Sequence, residues 1–229
     1  MLFAEVVSAS EEVAATRARS RKVATLADLL RRLDPAEVPV VVAVLAGAPR
    51  QGRIGVGWRT VARIEEEPAT EPALSVADVD AALDRLAALH GPGSQSARDA
   101  ELRALLGRAT APEQDLLRRL LVGELRHGAL EGVLTDAVAR AADVPLPAVR
   151  RAAMLAGDLP RVAVIALGEG VEGLGRVGLA LLRPVQPMLA QTAADPAEAL
   201  ALVLGAPPDD PDDPGKPDEP GDGGGGRVV

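Results

Sequence analysis

The sequence predicts an all-α protein, an irregular multi-helix bundle with a short extended exit segment and a disordered acidic tail. Three observations carry that expectation. Apolar residues recur at helical spacing, helix-start signals precede several of the runs, and the apolar content is almost wholly aliphatic. Hydrophobic residues make up 48% of the 229 positions, yet there is one Phe (Phe3), one Trp (Trp58) and no Tyr. A core without aromatics is filled by Ala, Val and Leu, which suits closely packed helices better than a β-sandwich.

The elements follow in order. A helix is expected over about residues 3–17. Val23, Leu26, Leu30 and Leu33 then step by three and four along one face of a second, and a third is expected over about 37–46. Residues 51–58, Gln-Gly-Arg-Ile-Gly-Val-Gly-Trp, break the pattern and read as a turn plus a short extended piece. Ser75 opens a segment with Val76, Val79, Leu83, Leu86 and Ala87 on one face, and Asp78 completes a capping-box pattern. A helix over about 96–107 precedes Thr110, which with Glu113 forms a second such pattern ahead of Leu116, Leu117, Leu120 and Leu121. Helices over about 131–142 and 147–156 complete the set, the latter ended by Gly157. Prolines between Arg176 and Leu189 forbid a continuing helix, so that stretch reads as an extended exit. From Gly205 to Gly226 the Pro, Asp and Gly content cannot support a core. No period of about 20–50 residues repeats, which argues against a solenoid. The expected organisation is thus a helical domain over 1–182, an exit segment over 183–204 and a tail over 205–229.

Composition excludes several functions. Without cysteine there is no disulfide, thiolate metal site or thiol nucleophile. The N-terminus lacks a basic stretch ahead of an apolar run, and the apolar residues 38–47 fall short of the roughly 20 needed to span a bilayer. A soluble, cytoplasmic protein with no membrane partner is expected. The net charge is −8, of which the tail from Gly205 onward contributes −5. The remainder holds 26 acids and 23 bases, all but Lys22 arginine. A high-GC genome accounts for that bias as readily as selection for bidentate phosphate contacts does. Total charge therefore does not decide the partner.

Few residues carry catalytic chemistry. His90 and His127 fall near expected helix ends with no acid at ligand spacing, so no metal site is expected. Glu65, Glu66 and Glu67 read as a solvated charge run beside Pro68. Residues 52–57 match neither a dinucleotide fingerprint nor a phosphate loop with its lysine. They read as turn glycines or, alternatively, as backbone that approaches a phosphate beside Arg50 and Arg53. Residues 120–128, Leu-Leu-Val-Gly-Glu-Leu-Arg-His-Gly, end one helix, and residues 129–134 begin another. Its glycines either permit a helical hairpin to bend or let the main chain approach a nucleic-acid backbone; residue chemistry alone favours the bend.

Residues 123–134, Gly-Glu-Leu-Arg-His-Gly-Ala-Leu-Glu-Gly-Val-Leu, resemble the signature of the N-terminal DNA-binding domain of ATP-dependent DNA ligases. Residues 2–7 with 22–30 resemble the first helical hairpin of its bacterial and archaeal members. Residues 183–190, Arg-Pro-Val-Gln-Pro-Met-Leu-Ala, resemble the strand that enters that family's nucleotidyltransferase domain. The resemblance covers about residues 1–204, and the Ala, Arg, Val and Gly bias suits an actinobacterial source. It implies sequence-independent binding of nicked double-stranded DNA in repair, replication and recombination, close to the nucleoid. Gly123, Arg126, His127 and Gly128 would then lie at the DNA backbone, with Arg50, Arg53 and Gly55 as further contacts. It also implies ATP and Mg2+ in the intact ligase, with an adenylated lysine in a Lys-x-Asp-Gly motif and an OB-fold.

The chain departs from that pattern at the lysine. Lys216 stands in Gly-Lys-Pro-Asp-Glu, with Glu219 where the motif has Gly, amid residues that build no pocket to lower a lysine pKa. No catalytic residue and no cofactor are therefore expected in this chain, which reads as a truncated, split or fragmentary front end of a ligase. The alternatives are an α-helical protein-interaction scaffold that never touches DNA and, more remotely, a stand-alone enzyme. A scaffold would expose a contiguous apolar patch, whereas a DNA binder would gather arginines on one face. The acidic tail reads as a linker or as a DNA mimic competing for the arginines.

Overall fold

The computed structural model describes residues 1–52, 54–125, 131–179 and 200. The chain divides into two units: Pro187–Val229 and, before it, Met1–Gln186. Among its described residues the helices are α1 (Phe3–Ala15), α2 (Arg19–Arg31), α3 (Val38–Leu45), α4 (Trp58–Arg63), α5 (Val76–Ala88), α6 (Ser94–Gly107), α7 (Ala111–Val122), α8 (Glu131–Ala142), α9 (Leu146–Ala156) and α10 (Leu159–Gly175). Extended pairing among them amounts to a single bridge between Leu2 and Ser75. There the Phe3 N–H donates to the Leu74 carbonyl at 2.8 Å and the Val76 N–H to the Met1 carbonyl at 3.1 Å, tying the starts of α1 and α5. The all-α expectation is met. The expected exit segment over 183–204, apart from Leu200, and the tail over 205–229 lie outside the described residues.

The helices pack through small aliphatic side chains. α2 lies along α8; α10 packs against α9, α3 and α8; α1 meets α2 and α7. α3 is almost wholly internal, with every residue except Pro39 buried. On α2, Leu26 and Leu30 are buried and Val23 is half-buried against the core, as is Leu33 just past the helix end. Phe3 is the one aromatic in the interior, 1% exposed. Each fully buried Val or Leu contributes on the order of 1.5–3 kcal/mol relative to an exposed one.

The helix-start signals do what their spacing implies. The Asp78 N–H donates to Ser75 Oγ, and the Ser75 N–H to Asp78 Oδ2, each at 3.0 Å. At α7, Glu113 Oε2 accepts from the Thr110 N–H and hydroxyl, both at 2.8 Å, with Pro112 in the first turn. Gly157 ends α9 at φ +59°, as expected.

Two helices correct the sequence reading. Residues 54–57 form irregular loop and not an extended strand, and Trp58 opens α4. That helix is six residues long, too short to display a period. α10 was not expected at all. Its interior holds Gly168, Gly170 and Gly173, and each glycine costs roughly 1 kcal/mol in helix propensity. Burial of Leu159, Val162, Ala163 and Ala166 at spacings of three and four overrides that cost, and the Asp158 carboxylate caps its start by accepting from the Arg161 N–H at 3.0 Å. The helix kinks at Gly170, whose φ of +61° and ψ of −149° fall in a region open only to glycine.

The capping box makes stability depend on pH. The Ser75 hydroxyl, then the Ser75 N–H and Arg108, hold the Asp78 carboxyl at about 2, below its ordinary 3.8. A folded-state value below the unfolded one gives stability that is complete above about pH 4 and lost as pH falls through 2. In thermal denaturation followed by circular dichroism, Asp78→Ala should melt below wild type near neutrality, with the gap closing toward pH 2. Ser75→Ala should cost about 1 kcal/mol.

Candidate nucleic-acid interface

α7 ends where Gly123 turns the chain at φ +73°. The Glu124 N–H donates to the Arg119 carbonyl at 2.9 Å and the Gly123 N–H to the Leu120 carbonyl at 3.2 Å, the paired bonds of a glycine-ended helix. Among the described residues, no atom lies within 4 Å of a Cβ built on Gly123. Residues 47–57 bring a second glycine-rich strip beside it. Gly47 is so close that its Cβ would stand 3.4 Å from the Leu125 carbonyl.

The fold thereby joins two segments about 70 positions apart in sequence. Gly52, Gly55 and Gly57 line one side of a groove of about 580 Å³, and Leu120 to Gly123 line the other. Its walls are glycine, alanine, proline and aliphatic residues. A wall of that kind lets a large ligand come close to the main chain. A second groove of about 620 Å³ shares Ala48 and Pro49 with the first. It runs to the starts of α8 and α10 and carries Arg50, Arg161, Glu131 and Asp158.

The arginines divide by partner. Arg50, a sequence candidate, is held by Asp80 through Nε at 2.6 Å and by Asp84 through a terminal nitrogen at 2.6 Å. The Asp80 hydrogen bond, opposed by burial, holds its guanidinium above the ordinary range. A phosphate would have to draw it from these carboxylates. Arg98 lies beneath Gly55, where an added Cβ would come within 3.1 Å of the guanidinium. It donates to the Leu89 carbonyl and to Ser94 Oγ. Arg59, Arg17, Arg21, Arg140 and Arg161 are exposed and make no ion pair among the described residues.

Of the sequence candidates, Gly123 and Gly55 line the first groove and Arg50 the second. Arg53, Arg126, His127 and Gly128 lie outside the described residues. Sequence reasoning did not single out Leu120 to Val122 as a groove wall, because they read as core. It also passed over Arg59, which distance from the signature concealed. His90 follows α5, and among the described residues no three His, Asp or Glu side chains group as metal ligands. Glu66, expected as a solvated charge, instead pairs with Arg103 at 2.8 Å, and its carbonyl accepts from Gln114 Nε2 at 3.2 Å.

The glycine at the end of α7 carries a measurable conformational demand. Gly123→Ala meets no atom of the described residues but forces a left-handed residue with a Cβ, so urea unfolding should show a loss of about 1 kcal/mol with the helical content kept.

Comparison with known proteins identifies relatives. Residues 60–139 match the family described as DNA ligase N terminus. A "Probable DNA ligase" of Pseudarthrobacter chlorophenolicus is 56% identical over 200 residues, 87% of this chain and 39% of the relative. One from Anaeromyxobacter dehalogenans is 58% identical over 208 residues, 90% of this chain and 40% of the relative. One from Streptomyces griseus is 54% identical over 200 residues, 87% and 39% respectively. The chain spans about two-fifths of the length of the curated relatives it matches. Residues 60–139 of the helical unit thus belong to the DNA ligase N-terminus family, and most of the chain is similar to the front part of these probable DNA ligases.

Proposed function

We propose that the helical unit grips nicked double-stranded DNA through its backbone, without reading sequence, as the N-terminal module of an ATP-dependent DNA ligase. Such an enzyme would serve DNA repair, replication and recombination at the nucleoid. The observation that carries this reading is the shared groove of the Gly52 to Gly57 loop and the Gly123 end of α7. Main chain unshielded by bulky side chains can approach phosphates and sugar edges, which position a protein on a duplex but carry no base information. The ligase relatives give the groove its context.

ATP and Mg2+ do not fit the residues described. Lys-x-Asp-Gly occurs nowhere in the 229 residues, and Lys22 is the only lysine described. No catalytic step is therefore assigned to this chain. Adenylation and sealing would fall to a nucleotidyltransferase and OB-fold portion of the intact ligase. No described helix is long and apolar enough to cross a membrane.

Binding of the full chain to a labelled nicked duplex over a salt series tests the reading. Affinity should fall steeply with salt, the logarithmic slope being about 0.9 per phosphate contact. Binding weaker than millimolar at about 50 mM salt, or indifferent to salt, would overturn it. Arg126→Ala should weaken binding equally on unrelated sequences and lower the slope by about one.

A further inference from the structure

Trp58 is the only tryptophan of the chain, and it is 65% exposed. It directly follows Gly57, which lines the groove facing Gly123. Among the described residues of 46–63 it is the one large apolar side chain left exposed. Its position is nevertheless anchored. α4 is too short to persist by itself, but Val61 beneath it is 4% exposed and Ile64 is fully buried. Arg118 of α7 donates to the Val61 carbonyl at 3.0 Å and the Ile64 carbonyl at 2.9 Å, closing the helix end. Arg63 pairs with Asp99 of α6. The indole therefore projects from a braced platform.

Arg59 beside it is exposed and makes no ion pair or hydrogen bond among the described residues, unlike Arg50, Arg63 and Arg103. A protein-docking surface presents several large exposed apolar side chains, whereas Trp58 is the single one among the described residues of 46–63. A single aromatic next to an uncommitted cation suits nucleic acid, whose sugar and base surfaces take the ring while a phosphate takes the charge.

We propose that Trp58 is a non-ionic DNA contact, its indole laid against the sugar and base edges of the nicked duplex while Arg59 meets a flanking phosphate. This rests on the DNA-binding reading above and adds a residue that the ligase signature does not contain. Because the tryptophan is unique, its fluorescence reports on this contact alone. The full chain is titrated with nicked duplex while anisotropy of a dye on the DNA follows binding independently. At saturation the emission should be quenched, and acrylamide, being neutral, should quench what remains about half as efficiently as in the free protein. Trp58→Ala should weaken affinity at least about fivefold with the salt slope unchanged, whereas Arg59→Ala should lower that slope by about one. Saturable anisotropy with emission and acrylamide access unchanged, or a Trp58→Ala variant that binds as wild type, would overturn the role of Trp58 and leave DNA binding standing. Absence of any anisotropy change overturns DNA binding itself, and this contact with it.

Discussion

Close packing of small aliphatic side chains underlies every other feature of this molecule. With Phe3 the only aromatic in the interior, volume must be filled by Val, Leu and Ala drawn from many helices at short separation. That requirement makes α3 almost wholly internal and lays α2 along α8. It also explains how α10 survives its glycines, since the face it presents to α9 and α3 is buried even where propensity is poor. Small core residues leave helix ends close to one another, and the first groove forms where one such end meets a loop.

Electrostatics are arranged locally. Many arginines are committed to neighbouring carboxylates, as Arg50 is to Asp80 and Asp84 and Arg63 to Asp99. Such exposed pairs add little stability each, about 0–1 kcal/mol, but they decide which cations face solvent uncompensated. Net charge is thus a poor guide to partner: a chain at −8 can still offer Arg59 and Arg161 beside its grooves. The sequence, lacking pairing information, could not separate these arginines from Arg50.

The glycines act at two levels. At Gly123 a positive φ ends α7 and turns the chain, as any helix-ending glycine would. The same missing side chain opens the groove wall, because the loop of residues 47–57 folds back against it. Of the bend and the approach surface posed for residues 120–128, Gly123 supplies the bend, and it also lines the groove wall.

The sequence by itself determined the helical class, the Ser75 and Thr110 helix starts, the Gly157 stop and the resemblance to ligases. All of these depend on residues within a few positions of one another or on a contiguous signature. It missed α4, which has too few residues for a period, and α10, where glycine content masked apolar positions that were legible in Leu159, Val162, Ala163 and Ala166. Only the tertiary structure decided that Gly55 and Gly123 share a groove, that Arg50 is held by carboxylates thirty residues away, and that Trp58 stands exposed on a braced helix end. Those facts depend on which distant surfaces meet, and no local pattern encodes that.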